Sequence, residues 1–152
     1  MDSTYILPGF GISVTGLSKR DLMLLEKLLI DGKISLYYSP IIWIEVLPKI
    51  YRLKRFGKLL LSEEDIADRI VAVENTFVQV NPTHKAIVTA YMLRELGHRD
   101  MVDNMLYGIA LSRDLLLMSM DNEFKVFLHS KNMNTSMILS HNELFNMIQH
   151  GK

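Results

Sequence analysis

Four acidic residues occupy positions at which a carboxylate could do chemistry. Asp121 follows a short apolar segment that ends in Ser-x-Asp, and an aromatic residue, Phe124, comes three positions later. A carboxylate just past a buried strand is held rigidly at the end of a sheet, where α/β proteins bind their ligands. The other three acids are Asp2 near the start of the sequence, Glu45 within an apolar segment and Asp103 near the start of a predicted helix.

Carboxylates that converge on one point repel one another, and the repulsion raises their pKa values unless a divalent cation neutralises it. A set of oxygen ligands without His or Cys suits a hard cation such as Mg²⁺ or Mn²⁺. These ions catalyse phosphodiester hydrolysis by activating water and by stabilising the attacked phosphate. The four acids are therefore candidates for a metal site of that kind.

Each of these acids also has a purely structural interpretation. Asp103 could complement the positive end of a helix dipole, and Asp121 could cap the helix that follows the strand. Glu45 could lie on a helix flank, and Asp2 could have no role. Because the chain contains 17 acids among 152 residues, only the order and setting of the four distinguish a site from these alternatives.

The composition limits the class of protein. Hydrophobic residues make up 49% of the chain and charged residues 22%, which indicates a soluble globular protein of one domain. Lys and Arg balance Asp and Glu at 17 each, so any nucleic-acid surface must be local. The absence of Cys excludes disulfides, thiol chemistry and thiolate zinc sites. No apolar run is long enough to span a membrane and no signal peptide is apparent, so we expect a cytoplasmic protein.

Helical and strand-like segments alternate along the chain. Helices are predicted to begin near Ser18, Ser39, Ser62, Thr83, Asp100, Asp121 and Ser140. Strands are predicted at residues 34–39, 76–80, 115–119 and 136–139. Apolar strands that are separated by helices favour a parallel sheet covered on both faces. We therefore predict an α/β fold, a single-domain three-layer α/β/α sandwich with a central parallel sheet, over residues 1–152.

The ordered set of motifs resembles the PIN domain family, the small metal-dependent nucleases that include VapC-type toxins. Asp2-Ser3-Thr4 is similar to the opening motif of the family, and Ser39-Pro-x-x-x-x-Glu45 is similar to the segment that carries its second acid. Asp103, followed by Ser119-x-Asp121-x-x-Phe124, is similar to the tail pattern. The resemblance covers nearly the whole chain, with one departure: PIN domains have an apolar strand before the first acid, and here only Met1 precedes it.

The resemblance implies four catalytic acids that bind one or two Mg²⁺ or Mn²⁺ ions: Asp2, Glu45, Asp103 and Asp121. It also implies three hydroxyl side chains that orient those carboxylates: Ser3, Thr4 and Ser119. The implied reaction is hydrolysis of an RNA phosphodiester bond, which leaves a 3′-hydroxyl and a 5′-phosphate. The substrate would be single-stranded or structured RNA, and the enzyme could be the toxin of a toxin–antitoxin pair, with an antitoxin protein as its partner.

A cluster of basic residues is a candidate surface for that RNA: Lys49, Arg52 and Arg55. Basic side chains hold phosphates, and neighbouring aromatic residues can stack on unpaired bases. The alternative is a solvated helix end, where cations are favourable. Asn104 is interpreted as a helix-surface residue, and the five histidines, which have no metal-binding spacing, are given no role.

The sequence also gives expectations about the oligomeric state and about whether the protein is catalytically active. Apolar helices with Met-rich edges predict a homodimer. A second functional class stays open, a degenerate PIN module that has lost catalysis and binds RNA or protein. The presence of all four acids favours the nuclease, whereas the short start before Asp2 favours the binding module, because a frayed terminus would hold that carboxylate poorly.

Overall fold

A computed structural model describes residues 1–151 of the chain. The α-helices of this part are α1 Lys19–Ile30, α2 Trp43–Arg55, α3 Glu63–Thr76, α4 His84–Glu95, α5 Met101–Arg113, α6 Asn122–Ser130 and α7 His141–Gln149. The strands are β1 Tyr37–Tyr38, β2 Val78–Gln79, β3 Leu117–Met118 and β4 Ile138–Leu139. Short 3₁₀ helices cover Ser3–Tyr5, Leu7–Phe10 and Pro40–Ile42.

The predicted helix starts are confirmed. Six of the seven α-helices are preceded by a side chain that accepts a hydrogen bond from a first-turn amide: Ser18, Ser62, Thr83, Asp100, Asp121 and Ser140. Such a side chain satisfies one of the amides that have no partner within the helix. The remaining helix, α2, directly follows the 3₁₀ turn that starts at Pro40. The helix boundaries therefore follow from local sequence.

The predicted central sheet is not formed, so the α/β/α sandwich assigned from the sequence is wrong. Helix accounts for 61% of the chain, and strand pairing within residues 1–151 consists of two small parallel sheets and an isolated bridge between Val14 and Leu17. One sheet pairs β1 with β2 and the other pairs β3 with β4, each over two residues. The described fold is mostly helical.

The predicted strands pair over only two residues each, and the first ten residues form turns that add no further strand. The amide of Ile6 donates to the carbonyl of Ser3 (3.1 Å), and the amide of Gly9 donates to the carbonyl of Ile6 (3.0 Å). Backbone groups that close 3₁₀ turns are not available to a strand ladder. Pro8, which has no N–H to donate, further weakens this segment as a strand. The apolar start of the chain therefore adds turns rather than a strand.

The chain divides into two compact units. The N-unit is Ser3–Val80, and the C-unit is Met1–Asp2 together with Asn81–Lys152. In the N-unit, the ring of Trp43 makes edge-to-face contacts with Phe10 and Tyr38, with ring centroids 6.1 and 6.3 Å apart. Phe10 and Tyr38 are fully buried, so these rings anchor the start of α2 in the core of this unit.

The C-unit is built on a close helix pair. Ala86 of α4 lies so near Gly108 of α5 that a Cβ added to Gly108 would stand 2.5 Å from the Ala86 carbonyl oxygen. Phe124 and Leu128 of α6 are also buried in this unit. Small residues at the contact thus allow two helix backbones to approach each other. None of the helices within residues 1–151 has the length and apolar character that crossing a membrane requires.

Candidate functional site

Asp2 and Asp121 are both tied to the end of β3 in the C-unit. The amide of Asp2 donates to the carbonyl of Met118 at 3.0 Å, on the edge of β3 that faces away from β4. Three residues after Met118, the amide of Asp121 donates to the hydroxyl of Ser119 at 3.1 Å. Asp2 is buried and Asp121 is exposed. The structure therefore brings these two predicted acids to one strand end.

Asp121 also caps α6. Its Oδ1 accepts a hydrogen bond from the amide of Phe124 at 2.9 Å, so the structural interpretation of this acid is confirmed. The cap uses one of the two carboxylate oxygens, and an ionised carboxylate can accept about four hydrogen bonds or ligand contacts. Capping and metal binding by Asp121 are therefore compatible.

Ser119 acts on the backbone near these acids. Its hydroxyl is buried and accepts the hydrogen bond from the amide of Asp121, which fixes the turn between β3 and α6. The resemblance implies that Ser119 orients a carboxylate, and this role stays a prediction. The observed contact positions the Asp121 main chain.

Asp103 stands in the first turn of α5. Asp100 caps this helix, because its Oδ1 accepts hydrogen bonds from the amides of Val102 (2.8 Å) and Asp103 (3.2 Å). Asp103 itself is half-buried. A carboxylate at this place complements the positive end of the helix dipole. The position of Asp103 therefore agrees with its structural interpretation.

Asn104, next to Asp103, is fully buried, so its interpretation as a helix-surface residue is wrong. Its Oδ1 lies 2.7 Å from Nδ1 of His98, and its Nδ2 donates to the His98 carbonyl at 3.2 Å. The His98 ring packs on Phe124 and Phe127 of α6, with centroids 4.5 and 5.0 Å apart. A buried polar side chain thus links the first turn of α5 to α6, which Asp121 caps.

The sequence contained one signal for this contact. Asn104 precedes the buried residues Tyr107 and Gly108 by three and four positions, which places it on the same face of α5. The spacing of the histidines indicates no metal site, so the sequence pattern assigns no role to His98. His98 combines a hydrogen bond to Asn104, six positions away, with aromatic packing on Phe124 and Phe127, which are distant in the sequence.

Replacing Asn104 with leucine should destabilise the protein by about 1–3 kcal/mol, because His98 would lose its buried hydrogen-bond partner. Asn142, exposed on α7, is the matched control, and its replacement with leucine should change stability by less than about 0.5 kcal/mol. Urea unfolding followed by circular dichroism measures both effects. Equal stability of the two variants would show that the Asn104–His98 contact does not hold α5 in place.

The remaining predicted site residues lie in the N-unit. Glu45 is half-buried in the first turn of α2, and Thr4 lies within the 3₁₀ helix Ser3–Tyr5. The buried hydroxyl of Ser3 accepts a hydrogen bond from Nζ of Lys49 at 3.2 Å. Ser3 and Lys49 are therefore partners of each other, a contact that neither of their predicted roles included.

The α-amino group of Met1 bears on the charge around Asp2. Burial lowers the pKa of this amino group to about 6, although the neighbouring Asp2 carboxylate opposes the shift. Most of the amino groups are consequently neutral at pH 7.

The two acids at the end of β3 have the donor chemistry for a hard cation, but they are not part of a larger ligand group. Within residues 1–151, no three or more His, Asp or Glu side chains are grouped so that they could hold an ion together. Mg²⁺ is commonly bound by one or two carboxylates, with waters and substrate phosphates as its other ligands. Asp2 and Asp121 can supply such a pair. Neither Asp103 nor Glu45 forms a group of three with them within residues 1–151.

Comparisons with known proteins add no family assignment. The sequence matches no protein-family model, and neither a curated protein nor a solved structure matches it. The resemblance to PIN domains therefore depends on the motifs around Asp2, Glu45, Asp103 and Asp121. Function has to be argued from the geometry of the chain itself.

Proposed function

We propose that this protein is a metal-dependent ribonuclease in which Asp2 and Asp121 bind Mg²⁺ or Mn²⁺. One observation carries the proposal: the amides of both residues donate hydrogen bonds at the carboxyl end of β3, that of Asp2 to the Met118 carbonyl and that of Asp121 to the Ser119 hydroxyl. Two oxygen ligands on fixed main chain suit a hard cation that keeps waters and takes a phosphate oxygen. When bound, that ion supplies an activated water and stabilises the attacked phosphate.

The other two predicted acids have more limited parts in this proposal. Asp103 acts through water rather than as a direct ligand, because no group of three ligands is found within residues 1–151. Its place on α5 is held by the neighbouring Asn104 and its bonds to His98. The part of Glu45 in the site stays a prediction from the resemblance.

The proposed reaction is hydrolysis. The oxygen of water forms a bond to phosphorus while the bond from phosphorus to the 3′-oxygen breaks, and the 3′-oxygen takes up a proton. The products are a 3′-hydroxyl and a 5′-phosphate. An enzyme that cuts RNA in the cytoplasm requires restraint, so the toxin of a toxin–antitoxin pair, held by an antitoxin protein, is the biological setting that we propose.

The C-terminal end of α2 supplies a surface that fits RNA. Arg52 and Arg55 are exposed and lie three residues apart, hence on one side of the helix. Tyr51 and Phe56, both exposed aromatics, accompany them. Exposed rings next to cations form the platform on which single-stranded nucleic acid stacks its bases and binds its phosphates. Lys49, which is bonded to Ser3, has a lesser part.

A double variant, Arg52→Gln with Arg55→Gln, should weaken RNA binding and reduce its dependence on salt. Each lost phosphate contact lowers the slope of log Kd against log salt concentration by about 0.7 for single strands, so two contacts lower it by about 1.4. Fluorescence anisotropy with a labelled single-stranded RNA at several salt concentrations measures the slope.

The matched control for this surface is Arg20→Gln with Lys27→Gln, which removes two exposed charges from α1. If both double variants reduce the slope equally, the effect is one of net charge and α2 is not the RNA surface. The alternative that cations at the end of α2 only complement its dipole predicts a small loss of stability with unchanged RNA affinity.

A second candidate function is RNA binding without catalysis, and the surface on α2 favours it because that surface does not depend on the acids. End-labelled single-stranded RNA, incubated with the protein in Mg²⁺, in Mn²⁺ and in EDTA, separates the two. Cleavage that requires the divalent ion supports the ribonuclease. Binding without cleavage under all three conditions would replace it with the binding module.

A further inference from the structure

A cavity of about 240 Å³ lies in the N-unit, between residues 8–14 and the start of α1. Its apolar lining includes Leu17, which is buried, and Ile12, Val14 and Leu22, which are half-buried. Pockets that hold drug-sized ligands measure roughly 300–1,000 Å³. The cavity is therefore of a size that suits a smaller molecule with an apolar body.

The rim of this cavity is polar. Ser13 and Lys19 line the cavity and are exposed. Lys19 is the single charged residue among the described residues of the lining, and within residues 1–151 its ammonium group takes part in no ion pair. The carboxylate closest to it in the sequence, that of Asp21, is not part of the lining and accepts hydrogen bonds from Ser18. The rim is therefore cationic, whereas the interior is apolar.

The place of Lys19 on its helix also favours an anion. Lys19 is the first residue of α1, at the positive end of the helix dipole. A cation there is unfavourable for the helix itself, because cations are stabilising at the opposite end. A negatively charged group above this residue is attracted by the lysine and by the dipole together.

We propose that this cavity binds a small monocarboxylic acid with a short alkyl chain. The carboxylate pairs with Lys19 and accepts a hydrogen bond from the Ser13 hydroxyl, while the alkyl chain packs on Val14, Leu17 and Leu22. One lysine and one hydroxyl match a singly charged carboxylate, whereas a phosphate presents more oxygens and more charge than these two groups satisfy. The site uses none of the residues assigned to RNA cleavage.

Titration of the full chain with hexanoate, followed through the amide signals in nuclear magnetic resonance spectra, tests the site. We expect shifts that saturate and that are confined to residues 8–22. Butanoate should bind more weakly, by up to about fourfold for each methylene group that it lacks, which is the factor expected for burial of one such group. Lys19→Gln should weaken hexanoate binding about tenfold, because the charged partner of the carboxylate is lost. The same variant should bind hexanol, which has no charge, as the unsubstituted protein does.

The matched control is Arg20→Gln, which removes an exposed charge next to Lys19 from a residue that does not line the cavity. It should leave the affinity for hexanoate unchanged. Equal affinities of the two variants for hexanoate would overturn the proposal. So would shifts that do not saturate, shifts spread over the chain, or equal affinities of the unsubstituted protein for hexanol and hexanoate. None of these outcomes depends on whether the protein cleaves RNA.

Discussion

Replacing Asp121 with asparagine should abolish RNA cleavage and the stabilisation by Mn²⁺, while the metal-free protein stays at least as stable as before. Asparagine caps a helix about as well as aspartate, so the hydrogen bond from the amide of Phe124 is kept. The substitution also removes one of the two carboxylate charges that we assign to this strand end, so we expect no loss of stability without metal. Calorimetry with and without Mn²⁺ measures the stability of the protein and its increase on metal binding, and a labelled RNA measures cleavage. At 100 times Kd, Mn²⁺ should stabilise the unsubstituted protein by about 2.7 kcal/mol, and the variant by nothing.

Two further variants separate metal binding from capping. Asp114→Asn removes one exposed carboxylate at the end of α5, where asparagine also tolerates the left-handed backbone (φ 54°), and it should leave cleavage unchanged. Asp121→Ala removes cap and ligand together and should cost about 1 kcal/mol without metal. If Asp121→Asn lowers stability without metal and responds to Mn²⁺ as the unsubstituted protein does, Asp121 is only a helix cap.

Replacing Gly108 with alanine should destabilise the protein by about 3 kcal/mol, which is the upper range for forcing a methyl group into a packed contact. The new Cβ would stand 2.5 Å from the Ala86 carbonyl oxygen and 2.9 Å from the Ala86 Cα. Both are backbone atoms, so no side chain can rotate away, and α4 must separate from α5. The higher helix propensity of alanine offsets only about 1 kcal/mol of this cost.

The matched control for Gly108 is Gly9→Ala. No atom lies within 4 Å of the position that its Cβ would occupy, and we expect a change in stability below about 0.5 kcal/mol. Urea unfolding measures the free energy of unfolding of both variants. A Gly108→Ala protein as stable as the Gly9→Ala protein would contradict the close packing of α4 on α5.

The helices could be predicted from the sequence because their signals are local. Ser18 and Ser62 form capping boxes with acids three residues later, and both ends of each such contact lie within one turn. Strand pairing depends on partners that are distant in the sequence. Residues 34–39 have the apolar character of a strand, yet only Tyr37 and Tyr38 pair with β2. The sequence pattern could not predict how short these ladders are.

The candidate site also contains some features that follow from local sequence and others that depend on distant residues. The place of Asp121 after β3 and before α6 follows from local sequence, and it is observed. The bond from the amide of Asp2 to Met118 joins residues more than a hundred positions apart and could not be predicted from spacing. The same holds for the contact of Lys49 with Ser3, whereas the burial of Asn104 has a local signal in its spacing from Tyr107 and Gly108.

The chemistry of the product ends tests the central claim most directly. Single-stranded RNA is incubated with the protein and Mn²⁺, and the fragments are examined by mass spectrometry. Hydrolysis by a metal-activated water, the reaction assigned to the strand end that Asp2 and Asp121 share, predicts fragments with 3′-hydroxyl and 5′-phosphate ends that are absent when EDTA replaces Mn²⁺. Fragments with 2′,3′-cyclic phosphate ends, or cleavage that persists in EDTA, would contradict it.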